Sequence, residues 1–206
     1  MRTATLVTGA SSGIGLALAR LFAADGHHLV LVARSEHKLH EIGEELERRN
    51  GIVATVVPAD LSAAQAGRSI VDTLKRAQIE IDVLVNNAGY GSSGTFLAND
   101  LRNQLDMIQV NVAAMTELTH LMLPRMVQRR SGRILNVAST AAFAPGPLNA
   151  VYHATKAHVL SFSEALAEEL DGSGVTVTAL CPDRPRRGSA WPPASALRAS
   201  FATEMR

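Results

Sequence analysis

ATLVTGASSGIGLALARLFA (residues 4–23) sets an aliphatic and β-branched run, a glycine-rich turn and an apolar helical stripe in immediate succession. Strand, turn and helix in that order open a nucleotide-binding α/β unit. Gly9 permits the tight turn, Gly13 lets backbone approach a pyrophosphate, and Gly15 allows the helix to pack close to the strand. Unpaired N–H groups at the helix start favour an anion, and Ser11 and Ser12 add hydroxyl donors next to Ile14. The spacing is GxxxGxG, not the GxGxxG of the usual dinucleotide fingerprint. By itself the turn therefore also fits a structural bend with no ligand.

The alternation continues along the chain. Nearly continuous apolar runs at 4–8, 28–33, 52–57, 82–86, 133–138 and 175–180 predict six strands buried on both faces. Amphipathic patterns at 14–25, 36–49, 63–77, 101–130 and 151–170 predict the helices between them. Strand alternating with helix specifies an α/β fold whose parallel sheet is covered by helices on both faces. The longest pattern carries Leu101, Leu105, Ile108, Val112, Met115 and Met122 at three- and four-residue steps. Pro124, inside that pattern, predicts a bend or a restart. No repeat or linker interrupts residues 1–182, so 1–183 reads as one domain, and 184–206 as a basic tail rich in proline, alanine and arginine.

The composition, 47% hydrophobic and 19% charged over 206 residues, is that of a soluble globular chain. A formal charge of +1 gives no basic field for nucleic acid. No apolar run approaches the roughly 18 residues of a membrane span, and the N-terminus lacks the order of a signal peptide. A cytoplasmic protein with no membrane or nucleic-acid partner is expected. Cys181 is the single cysteine, which excludes an intrachain disulfide and fits a reducing compartment. With no histidine or helix start evident beside it, it reads as a buried strand-end thiol, not a nucleophile. His153 and His158 are five apart, and His37 and His40 are three apart on a charged helix, so no metal site is expected.

Chemistry gathers at the predicted strand ends. The second strand ends in Ala33 and Arg34 with no carboxylate at the turn, and a guanidinium there suits the 2′-phosphate of NADP in preference to the ribose hydroxyl of NAD. Tyr152 and Lys156 form an i, i+4 pair on one helix face. A neighbouring ammonium favours phenolate and lowers a pKa ordinarily about 10, which makes Tyr152 a usable acid/base. Ser139 ends the fifth strand thirteen residues before Tyr152, and Asn86, Asn87, Ala88 and Gly89 end the fourth at the same edge. Asn111 is a polar residue in an apolar stripe and needs a partner.

TGASSGIG, NNAG, the Asn111 and Ser139 sites and YHATK follow one another in the order of the short-chain dehydrogenase/reductase family, which the chain resembles over residues 3–182. The resemblance implies a Rossmann-like sheet in the order 3-2-1-4-5-6. It implies that Tyr152 passes a proton to or from a substrate oxygen that Ser139 also binds. Lys156 would tune the tyrosine and hold the nicotinamide ribose, and Asn111 would anchor a water leading from the lysine. Gly9, Ser11, Ser12, Gly13, Ile14, Gly15 and Arg34 would hold NADP, with Asp60 and Leu61 at the adenine. Asn87, Ala88 and Gly89 would run past its ribose. Family members pair through the helices matching 101–130 and 151–170, so a homodimer or homotetramer is expected, with Leu160, Phe162 and Met122 as interface or core residues.

Segments 90–96 and 140–150 would wall the substrate. Their Phe96, Phe143, Pro147 and Leu148 suit a small hydrophobic ketone, aldehyde or secondary alcohol. The family pattern stops after Pro182, where Asp183 replaces the expected glycine and nothing in 184–206 resembles the usual covering segment and seventh strand. A shifted reading frame after codon 182 is the favoured origin, with a native short variant as the alternative. The functional expectation is accordingly an NADP-dependent oxidoreductase, and its alternative a non-catalytic NADP-binding remnant.

Overall fold

The computed structural model describes residues 2–183, and the expected tail at 184–206, where a seventh strand would be sought, lies outside the described residues. β1 (Arg2–Thr8) leads through the glycine turn into α1 (Gly13–Ala24), followed by β2 (Leu29–Ala33), α2 (Glu36–Asn50), β3 (Ala54–Pro58) and α3 (Ala66–Arg76). The second half runs β4 (Ile79–Asn86), α4 (Leu101–Ile108), α5 (Met115–Arg129), β5 (Gly132–Val137), α6 (Ala150–Glu169) and β6 (Val175–Leu180). All strand pairs are parallel, in the order β3-β2-β1-β4-β5-β6. The order reverses between β1 and β4, so the crevice of the sheet opens at their carboxyl ends, beside Thr8 and Asn86.

Strand side chains alternate between two cores. Val30 and Val32 of β2 join Leu6, Leu84 and residues of α3, α5 and α6 on one face. Leu29 and Leu31 join Val7, Val85 and residues of α1 and α2 on the other. The central strands are buried on both faces, as their apolar runs predict, whereas β3 and β6 at the margins are mostly half-buried. Cys181, just past β6, is likewise half-buried. Across β4 and β5, Asn86 and Asn136 lie side by side and bond each other at 2.9 Å, with Thr119 and Ser163 completing a buried polar chain. That chain ties α5 and α6 to the strands just below the crevice.

The 101–130 pattern is not one continuous α-helix. Gln109–Ala114 forms a π-helical turn between α4 and α5, and each residue added to a helical turn rotates the remainder of the helix by about 100°. Leu101, Leu105 and Ile108 consequently face solvent, while Met115 and Met122 are buried, so the stripe divides into two faces. α5 itself runs through Pro124 to Arg129, and the irregular turn lies well before the proline. Met122 belongs to the core, and Leu160 and Phe162 are partly buried against it.

Candidate active site

The turn after β1 is welded to the end of β4. Thr8 Oγ accepts from the N–H groups of Asn87 at 2.9 Å and Ala88 at 3.0 Å, and Asn87 Nδ2 donates to the Thr8 carbonyl at 2.8 Å. Gly9 and Gly13 hold left-handed φ values of 66° and 57°, which favour glycine. At Gly15 a Cβ would come within 2.3 Å of the Gly9 carbonyl oxygen, so only glycine fits. The result is a rigid loop whose Gly9, Ser11, Ser12, Gly13 and Ile14 line a cleft of about 1180 Å³. Gly15 itself is buried behind that wall.

Arg34, Asp60, Leu61 and Ser62 line one end of the cleft. Arg34 is exposed. Asp60 Oδ1 accepts from the Ser62 N–H at 3.0 Å and the Ser62 hydroxyl at 2.8 Å. These bonds, with help from the Arg34 charge, hold the Asp60 carboxyl below its ordinary range. The carboxylate is thus occupied by its own turn, and the guanidinium stays available to a ligand.

Asn87, Ala88, Gly89, Ser139, Tyr152 and Lys156 line the middle and the opposite end. Ser139 Oγ accepts from the Ala141 N–H at 3.1 Å, which leaves its own O–H free to donate. Lys156 is buried, donates to the Val137 carbonyl at 2.7 Å, and stands 5.9 Å from the centre of the Tyr152 ring. Burial pushes its ammonium from 10.5 down to about 8, opposed by the Cys181 sulfur. Asn111 lies behind the wall, in the π-helical turn. Its amide donates to the Tyr90 carbonyl at 2.9 Å and to Thr155 Oγ at 3.0 Å, while Oδ1 accepts from the Tyr90 N–H. Thr155 in turn donates to the Tyr152 carbonyl at 2.7 Å. Asn111 therefore braces the segment after β4 against the helix of Tyr152.

The substrate-side walls differ from expectation. Phe143 and Pro147 are exposed and absent from the described cleft wall, whereas Asn149, His153, Tyr90 and Thr140 line it. His153 Nδ1 lies 2.7 Å from the Ala144 carbonyl, and its ring packs on Gly146 so closely that no side chain fits there. Phe96 and Leu148 line a smaller cavity of about 110 Å³ that shares Tyr152 and Asn149 with the main cleft. The roles of Thr8 and Asn149 carry no local sequence signal, because each depends on partners brought from a distant segment. The threonine in YHATK is the one with a visible hint.

The family described as short chain dehydrogenase matches residues 3–184. Ketoacyl reductase HetN of Nostoc sp. is 36% identical over 177 residues, covering 86% of this chain and 61% of that protein, so the chain spans about three fifths of that relative's length. Among solved structures, a short-chain dehydrogenase of Sphingobium yanoikuyae in complex with NADPH is 38% identical with a TM-score of 0.83, covering 90% of this chain and 72% of that one. The bulky-bulky ketone specific alcohol dehydrogenase of Comamonas testosteroni is 34% identical with a TM-score of 0.88, covering 100% and 82%.

Proposed function

The chain belongs to the short-chain dehydrogenase family, and from that membership we propose that it is an NADP-dependent oxidoreductase interconverting a small carbonyl compound and its secondary or primary alcohol. The observation that carries this reading is one cleft with the glycine turn and Arg34 at one end and Ser139, Tyr152 and Lys156 at the other. The cradle fits a dinucleotide, since Gly9, Ser11, Ser12, Gly13 and Ile14 line the cleft where the glycine turn meets the start of α1. NADP is favoured over NAD because Arg34 lines the cleft and β2 ends in Ala33 and Arg34 without a carboxylate, while the nearby Asp60 carboxyl is held by Ser62. The NADPH bound in the Sphingobium structure agrees with this preference.

Gly9, Ser11, Ser12, Gly13 and Ile14 would hold the pyrophosphate, Arg34 the 2′-phosphate, Asp60 and Leu61 the adenine, and Asn87, Ala88 and Gly89 the adjoining ribose. Lys156 and Tyr152 would hold the nicotinamide ribose. When bound, the cofactor supplies or accepts the hydride. Ser139 donates its free O–H to the substrate oxygen and stabilises charge developing there. Tyr152 gives its phenolic proton to that oxygen in reduction and takes it back in oxidation. Lys156, fixed by the Val137 carbonyl, keeps a positive charge beside the phenol.

The substrate is a neutral ketone, aldehyde or alcohol with apolar substituents. Phe96 and Leu148 expose apolar surface next to Tyr152, and the Lys and Arg side chains of the described cleft wall are Arg34 and Lys156 alone. Assembly as a homodimer or homotetramer belongs to the same reading, supported by the solvent-facing Leu101, Leu105 and Ile108 on α4.

NADPH fluorescence titration tests the cofactor assignment. The expected result is saturable NADPH binding that weakens at least tenfold in Arg34→Ala, as loss of a charge-assisted bond of about 1.5–3 kcal/mol requires, while NADH binding is unaffected. Equal loss for both cofactors would remove the NADP preference. Binding with no turnover of any carbonyl compound would favour the non-catalytic remnant.

A further inference from the structure

The helix that carries Tyr152 begins with its capping residue committed elsewhere. Asn149 is the N-cap of α6, where a side-chain oxygen ordinarily accepts from a first-turn N–H, yet it makes no such bond. Its Oδ1 accepts instead from Ser93 Oγ at 3.0 Å. Leu148, the residue before it, holds a left-handed φ of 65°, which bulky side chains adopt only when the surroundings enforce it. The carbonyl so turned accepts from the Gly94 N–H at 2.8 Å. Gly91 completes the set, because a Cβ there would lie 2.9 Å from Cδ2 and 3.0 Å from Cγ of the Tyr152 ring. Gly91 has no left-handed φ. Contact with the ring, not backbone geometry, therefore excludes a side chain at this position.

We propose that segment 91–94 is a positioning element for Tyr152, holding the ring plane and thereby the direction of the phenolic oxygen relative to Ser139. Tyr152 is the third residue of α6, in the first turn, whose N–H groups lack intrahelical partners and whose end frays most readily. Helical hydrogen bonding alone leaves this turn loosely held. The Ser93 and Gly94 bridges fix the start of the turn, and Gly91 blocks the ring from rotating toward the segment after β4. The inference rests on the proposed role of Tyr152 as proton donor.

The chain contains two tyrosines, Tyr90 and Tyr152, so fluorotyrosine labelling gives two ring signals in fluorine NMR, assigned with Tyr90→Phe. Gly91→Ala and Ser93→Ala are compared with the parent for these signals, for NADPH affinity, and for turnover of a panel of aliphatic and aryl ketones. In Gly91→Ala the Tyr152 signal moves and kcat at saturating NADPH falls on the order of tenfold to a hundredfold. Ser93→Ala removes one bridge without adding an atom and moves both readouts the same way by less. If Gly91→Ala does not fold, Ser93→Ala decides alone. An unmoved Tyr152 signal, or a moved signal with kcat intact, overturns the positioning role. Moved signals in the variants of a parent that turns over no carbonyl compound uphold the clamp and overturn the proposed reaction instead.

Discussion

At the residue scale, Lys156 shows how the proposed chemistry opposes stability. A buried ammonium whose pKa falls from 10.5 to about 8 is disfavoured in its charged form by about 3 kcal/mol. Because the folded value lies below the unfolded one, the penalty is fully present below about pH 8 and disappears above about pH 10.5. Unfolding free energy should therefore rise with pH across that window in the parent. The rise should be smaller by about 3 kcal/mol in Lys156→Met, as urea denaturation at a series of pH values would measure. An identical pH dependence in the two proteins would mean that the lysine is not desolvated. Turnover has the opposite sensitivity, since a reaction that needs the cation should decline as pH rises through about 8.

The sequence reveals the tyrosine–lysine pair but not its fixings. Tyr152 and Lys156 announce themselves by spacing, whereas the Val137 carbonyl that holds the lysine belongs to a strand nineteen residues earlier. The bond from Ser93 to Asn149 at the start of α6 likewise joins residues 56 apart in the chain.

At the scale of elements, the strand–turn–helix unit is legible because its constraint is local. Each glycine answers a backbone requirement within a few residues, and Gly15 is the sharpest case. Gly15→Ala would drive a Cβ into the backbone oxygen of Gly9 and into Asn87, an overpacking that costs about 1–3 kcal/mol or more. The expected outcome is a lowered melting temperature together with loss of NADPH binding, read by thermal denaturation and fluorescence titration. Full stability in Gly15→Ala would show that the turn is looser than its contacts indicate.

The α4–α5 region shows where such reading fails. Three- and four-residue spacing is preserved from Leu101 to Met122, but a π-helical turn changes the phase midway, and no residue in QVNVAA marks it. The turn contains Asn111, whose three bonds to Tyr90 and Thr155 span two other segments. Long-range bonding, not local propensity, holds the helix in that form. Pro124, the expected breaker, lies within α5.

At the scale of the whole molecule, parallel sheet order brings four separated motifs into one cleft, with Asn111 behind its wall. The reversal between β1 and β4 brings Thr8 to Asn87, and the register of β5 against β4 carries Ser139 to the same edge. Apolar runs alternating with helical patterns predict the parallel, helix-covered sheet, while its strand order is implied by the family resemblance. The substrate walls are less legible. Phe143 and Pro147 have the composition of a pocket but project from the described cleft, and the surfaces beside Tyr152 come from Gly91, Asn149 and His153.

The reading of the molecule as a Tyr152-dependent NADPH oxidoreductase is tested most directly by NADPH consumption at saturating cofactor with the ketone panel. The parent and Tyr152→Phe are compared at NADPH concentrations that titration shows to saturate each. The parent should consume NADPH, and Tyr152→Phe should be slower by about a hundredfold or more, the scale of a lost general acid. Consumption by Tyr152→Phe at the parent's rate would contradict the assignment.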